Sequence, residues 1–315
     1  MENLIFSLNA TIPIFLVMVV GYVLKQIKLV DDSFVKTLNS LNYKVTLPVL
    51  LFQDIAASDF RDVWDTKYVA YCFGVTLICI TLIWIGAGLF YKNKLQLGEF
   101  VQSSFRSSAA ILGIAFIQNI YGNASLAPLM VIGSVPLDNV AAVLVLYFTS
   151  PKNQGFSKET LKKSICDIGK NPIIIGILLG MAASFLPFEF PVIMSKTIHN
   201  IAVLATPLAL LGLGAGFEGR KALAEIKPTA VVTMLKLILQ PAIFLPLAAL
   251  LGFRDEKLVA ILVMLGAPST VSGYIMAKNI GHDGVLTSSA IVATTFLSSF
   301  TLTFWLFLLK SLGLI

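Results

Sequence analysis

LVMLGAPSTVSGYIMAKNIG, residues 262–281, is apolar and long enough to enter a bilayer, yet it is interrupted at its centre. Pro268 and Gly273 break the run, and Ser269, Thr270 and Ser272 set hydroxyls between them. Proline removes a backbone donor and clashes with the preceding turn. At membrane depth the freed polar groups need protein, water or a ligand. A proline kink held by neighbouring helices is the plain explanation, and a helix broken at the midplane to bind a solute is the functional one.

Moving outward, the chain of 315 residues is 57% hydrophobic and only 13% charged, with a mean hydropathy of +0.87. A soluble domain carries about 25% charged residues, so this is an integral, multi-pass membrane protein in contact with lipid. Apolar runs of spanning length fall near 5–24, 34–53, 68–90, 101–120 and 126–148, then near 173–187, 193–213, 229–251, 258–277 and 286–309. Ten transmembrane helices are expected, or nine if the short run 173–187 merges with its neighbour. The first run lacks a basic region before it and a small-residue cleavage site after it, so it reads as a span and not a leader.

The net charge of +6 follows topology and does not imply nucleic acid. With the N-terminus outside, thirteen Lys and Arg residues fall in cytoplasmic loops, among them Lys25, Lys92, Lys158, Lys170 and Arg220, against six on the other side. Both termini are therefore expected on the extracytoplasmic side of the cell membrane. The lysine-rich stretch 151–171 reads as a cytoplasmic linker, too short for a core. Cys72, Cys79 and Cys166 have neither disulfide nor metal-ligand spacing.

Helix-breaking residues recur at one spacing. Pro13 and Pro172, Gly21 and Gly180, Pro48 and Pro207, and Gly122 and Gly281 are each 159 residues apart. Each pair occupies the same ordinal span in its half. Five spans per half is odd, so the second copy enters from the opposite face and the two halves form an inverted repeat. The expected fold is all-α: ten spans as 5+5, divided 1–150 and 172–315, with spans four and nine broken and crossed. At this spacing Pro268 falls opposite Ala109 and Ser272 opposite Gly113. Half-helix N-termini and free amides facing such a crossing suit an anion.

LNSLNYKVTLPVLLF at 38–52, LKLILQPAIF at 235–244 and APSTVSGYIMAKNIGHDG at 267–284 resemble the auxin efflux carrier family of ten-helix secondary transporters, over nearly the whole chain. The resemblance implies a scaffold of spans 1, 2, 6 and 7 and a transport domain of spans 3–5 and 8–10. It also implies organic-anion substrates: auxin in plant members, small carboxylates such as malate or malonate in bacterial ones. Plant members have a proline at each crossing, where this chain has Ala115 and Gly273. Their long cytoplasmic loop is also absent, so a bacterial type of carrier is the better fit. Gly113, Pro268 and Gly273 are expected to hold the crossings.

Ionisable residues inside spans are costly and by default functional. Asp138, in VPLDNVAAV, lies about 20 Å into the fifth span. With Asn139 it is a candidate site for a coupling proton or Na⁺, the alternative being a structural partner for a buried cation. Arg106, before the crossing, has the fork of donors that fits a carboxylate, unless it snorkels to the headgroups. Lys44 and Lys236 share that ambiguity, with more reach to the surface. The expected substrate set is Arg106, Ser107, Ser108, Gly113, Asn42, Lys44, Pro268, Ser269, Thr270, Ser272 and Lys236. His199 and His282, near helix ends, are expected to be solvated or capping. Gly214, Gly216 and Gly219 spell GxGxxG without the required strand.

A secondary active transporter of a small organic anion, working by alternating access without a cofactor, is the function these residues favour. A channel or sensor-like membrane protein is the alternative. An enzyme is not expected, because one central acid and two peripheral histidines supply no acid pair or nucleophile and base. Coupling to H⁺, to Na⁺ or to neither stays open, as do the substrate and whether the protein forms a homodimer.

Overall fold

The computed structural model describes residues 2–56, 64–109, 117, 120–121, 127–150, 169–185 and 190–315. Gly113, Ala115, Gly122, Cys166 and the linker from 151 to 168 lie outside the described residues. Within them the chain is all-helical: 83% of it is helix and no strand occurs.

The first half runs α1 (Glu2–Gln26), α2 (Asp32–Leu41), a π-turn (Asn42–Thr46), α3 (Leu47–Ala56), α4 (Thr66–Phe90), α5 (Leu97–Phe105) and α6 (Ala127–Phe148). The second runs α7 (Pro172–Phe185), α8 (Val192–Ala202), α9 (Ala205–Ala215), the short α10 (Gly219–Ala224), α11 (Ile226–Met234), a second π-turn (Leu235–Leu239) and α12 (Gln240–Leu250). α13 (Asp255–Gly266), α14 (Val271–Ile280) and α15 (Val285–Ser311) complete it. Six helical stretches among the described residues are long and apolar enough to cross a membrane, and two shorter apolar helices accompany them. Large apolar side chains such as Leu89, Phe90 and Leu250 are exposed, which suits a lipid solvent.

Local chemistry accounts for many helix ends. Asp31 accepts from Phe34 N at 2.7 Å and Asp65 from Tyr68 N at 3.0 Å, starting α2 and α4. Gly281 at φ 109° closes α14, and Gly284 at φ 76° leads into α15. Glu99, only 1% exposed, crosses from α5 to cap α15 and accepts from Gly284 N, Thr287 N and the Thr287 hydroxyl.

Helices α1 and α9 meet without a side chain between them. A Cβ on Gly21 would collide with the carbonyl of Leu211, and one on Gly214 with that of Met18. α3 and α7 close in the same way, where a Cβ on Gly176 would lie 2.5 Å from the Pro48 carbonyl. Small residues allow such backbone approach between membrane helices.

The stretch 262–281 lies at the centre of the molecule. In the span Asp255–Ile280, 83% of the apolar window is buried inside the protein, against 28% for Thr66–Phe90. It is broken after Gly266. Pro268 disfavours helical backbone in the residue before it, and Ala267 is extended at ψ 157°. Gly273 is not part of the break. It sits inside α14 against the Gln102 side chain.

Candidate functional site

Two interrupted helices face each other here. α5 stops at Phe105 and Arg106 is extended at ψ 138°, while α13 stops at Gly266. The two breaks are joined backbone to backbone by Ser108 N donating to Pro268 O at 2.9 Å. Phe105 and Gly266 are 161 residues apart, so the ends slip by two residues from the 159 spacing.

Ending a helix inside a protein leaves four carbonyls without partners. In α5 all four are taken. Gln102 O accepts from Arg106 N at 3.0 Å, and Ser103 O from the Ser269 hydroxyl at 2.7 Å. Ser104 O accepts from the Gln240 amide at 2.6 Å, and Phe105 O from Lys236 Nζ at 2.9 Å. Leaving one of them unpaired would cost about 1–3 kcal/mol, so the break is held by α12, by Ser269 ahead of α14 and by the π-turn before α12.

A cavity of about 70 Å³ opens beside the crossing. Arg106, Ser107, Ser108, Thr270 and Ser272 form one wall, while Asn42 and Asp54 come from the second span. The Arg106 guanidinium is 4% exposed and does not snorkel. One terminal nitrogen donates to Asn139 Oδ1 at 2.6 Å and to Ser272 Oγ at 2.8 Å; the other contacts the Met276 thioether at 3.1 Å. Among the described residues no carboxylate forms an ion pair with it. The first turn of α14, entered through Thr270 and Ser272, presents its positive end to the same cavity.

Asn42 sits in the first π-turn. Its amide donates to Ala205 O at 2.9 Å and its Oδ1 accepts from the Thr46 hydroxyl at 2.6 Å. This fastens the first π-turn to the interruption between α8 and α9 at Val203–Leu204. Such widened turns occur often at functional sites, and apolar periodicity gives no sign of them.

Other expectations separate in space. Lys44 is exposed and does not line the cavity, since residues two apart on a helix point to roughly opposite sides. Lys236 does not reach the surface: it is 0% exposed, and its ammonium is spent on backbone carbonyls away from the cavity wall. Pro268 and Ser269 shape the crossing without lining the cavity. Asn139 holds Arg106, whereas Asp138, one residue earlier and 8% exposed, faces Lys236 and Arg106 electrostatically and makes no ion pair among the described residues. His282 is buried and not solvated; its Nε2 lies 2.9 Å from Leu146 O in the last turn of α6, the capping one of the two expected roles.

Sequence reading missed Asp54 and Gln240. Asp54 fell one residue beyond the expected second span, which in fact extends to Ala56. An acid on a continuing helical period was the signal that could have found it.

Residues 6–306 match the membrane transport protein family. Among curated relatives, a provisionally named malonate transporter of Rhizobium meliloti strain 1021 is 24% identical, over 95% of each chain. The uncharacterized transporter YfdV of Escherichia coli strain K12 is 24% identical over 87% of this chain and 88% of its own. An uncharacterized transporter of Methanothermobacter thermautotrophicus is 20% identical over 95% of this chain and 97% of its own. A helical, lipid-exposed chain broken at an internal crossing, matched along almost its whole length, belongs to the membrane transport protein family, as its resemblance to the auxin efflux carriers implied.

Proposed function

We propose that the protein is a secondary transporter that binds a small organic anion between Arg106 and the N-terminus of α14. The carrying observation is the Arg106 guanidinium, buried at a cavity wall and held by the neutral groups of Asn139 and Ser272. A guanidinium has five donors in a planar fork; among the described residues no carboxylate is in ion-pair contact with it, although Asp138 acts on it from farther away, so donors are left for a ligand. Lys236, expected from sequence to touch the anion, is reassigned to the crossing.

Size discriminates among anions. At 10–15 Å³ of such space per water, about 70 Å³ holds roughly five waters. A three- or four-carbon dicarboxylate is of that order, and an indole-bearing auxin is larger. The malonate in the name of the Rhizobium meliloti relative agrees with the smaller class.

The five-plus-five inverted repeat is part of this proposal. Gly21 meets the Leu211 carbonyl and Gly180 the Phe52 carbonyl; in both pairs the equivalent residues are 159 apart, so one contact is made twice. A scaffold of spans 1, 2, 6 and 7 would then carry the bundle of spans 3–5 and 8–10 through alternating access in the cell membrane, with both termini outside. α1 packs along α15 as well as α9, so the two bodies share an interface along the first span.

Asp138 remains the proposed coupling residue. Asp54 supports a second version, because it lines the anion's own cavity and a charged carboxylate there opposes an anion. Protonating Asp54 would then accompany loading. Flux into liposomes across a panel of mono- and dicarboxylates tests the function. Saturable counterflow of a small dicarboxylate is expected, lost in Arg106→Ala; unitary currents without counterflow would make the protein a channel.

A further inference from the structure

Lys236 reaches the crossing from the π-turn Leu235–Leu239. Its ammonium donates to Phe105 O, the last residue of α5, at 2.9 Å, and approaches Met264 O in the last turn of α13 at 3.5 Å. It thus lies where the C-terminal ends of two half-helices converge. Those ends carry the negative poles of their dipoles. In broken-helix transporters, unwound carbonyls and half-helix C-terminal ends are where an inorganic coupling cation is coordinated.

The rest of the surroundings is also that of a cation site. The side chain is 0% exposed, and Asp138 and Cys79 are the titratable groups acting on it. Asp138 forms no hydrogen bond among the described residues. Two backbone carbonyl oxygens close to the ammonium, with a buried carboxylate acting from beyond ion-pair distance, make an electronegative lining of the kind that holds a monovalent cation. Here the charge is supplied by a side chain.

We infer that the Lys236 ammonium is a tethered cation occupying the inorganic cation position of the crossing, so the protein needs no Na⁺ and acquires a monovalent-cation site when the ammonium is removed. A part for this position in coupled transport rests on the transporter reading; its occupation by the ammonium does not. An ammonium that merely glued helices would be replaceable by packing and blind to the identity of added cations.

The test uses purified full-length protein, thermal unfolding in detergent, and chloride salts of choline, Na⁺, K⁺ and ethylammonium at one ionic strength. The wild type is expected to unfold at one temperature in all four. Lys236→Ala is expected to be less stable in choline, and to gain about 2–4 °C in Na⁺ or ethylammonium, as mass action gives at tenfold excess over Kd. Lys236→Met, which fills the space with an uncharged chain, is expected to respond to none. Stabilisation of the wild type by Na⁺ overturns the inference even if neither variant can be purified, and so does a Lys236→Ala protein indifferent to every cation. A dicarboxylate shift measured on the same wild-type sample, and lost in Arg106→Ala, tests the anion site separately.

Discussion

The α1–α9 contact and the meeting of the α5 and α13 ends are both close approaches of helix backbones, achieved by opposite chemistry. At Gly21 and Gly214 the side chains are deleted, each carbonyl stays inside its own helix, and the interface is apolar. At Phe105 and Gly266 the helices end, and their carbonyls are taken by Lys236, Gln240 and Ser269 from other elements. A closed apolar contact has no polar valence left over. The broken one spends side chains on its carbonyls, and leaves Arg106 and the positive end of α14 facing a cavity. Stability and binding should therefore be separable by mutation.

Arg106→Ala gives the largest expected effect. Removing a buried charge that a ligand must pair with costs about 2–4 kcal/mol, roughly 30- to 1,000-fold in affinity. Arg106→Lys should restore only part of it, because an ammonium cannot reproduce the fork. Titration of dicarboxylates by thermal shift and flux checks both; unchanged affinity would remove the crossing's claim to the anion. Gly214→Val belongs to the other region. Its new side chain meets the Met18 carbonyl, and overpacking costs about 1–3 kcal/mol, seen as a lower Tm. The protein that remains folded should bind its anion normally, and a parallel loss of affinity would erase the distinction between the regions.

Asp138→Asn and Asp54→Asn sharpen the crossing itself. Flattening of the pH dependence of transport is expected in Asp138→Asn; flattening in Asp54→Asn alone would move coupling into the anion cavity. The smallest effect lies at the mouth of α4. The Lys257 ammonium, hydrogen-bonded at 2.6 Å, holds the Asp65 carboxyl below its ordinary range. A depressed carboxylate stabilises above its unfolded pKa of about 3.9 and loses that contribution as pH falls through the lower folded value. Both side chains are about 30% exposed, so Asp65→Asn should cost under about 1 kcal/mol at neutral pH. The difference should begin to shrink below about pH 4 and vanish only below the lowered folded value, and binding should be unaffected.

Much of this was legible in the chain because membrane burial is a one-dimensional constraint. Six helical stretches among the described residues are long and apolar enough to span, as expected where backbone groups in lipid must be paired within their own segment. Pro268 announced its break because its missing donor and its effect on Ala267 act between neighbours in the chain. Arg106 stood out because a cation in a span needs a reason.

Other features had no local sign. RSSAAILG, residues 106–113, contains no proline; the stop at Phe105 is made by partners 131, 136 and 166 residues distant in the chain. The π-turns that carry Asn42 and Lys236 are likewise invisible to apolar periodicity. Without them neither the split of Asp138 from Asn139 nor the turning of Lys236 away from the surface could be foreseen. Composition and helix-breaking residues determined that the chain enters the membrane and where a span must yield. Which carbonyls are capped, and which charge is left facing the cavity, was decided by tertiary structure, because a freed polar group in a low-dielectric interior takes whatever partner the packing brings within about 3 Å.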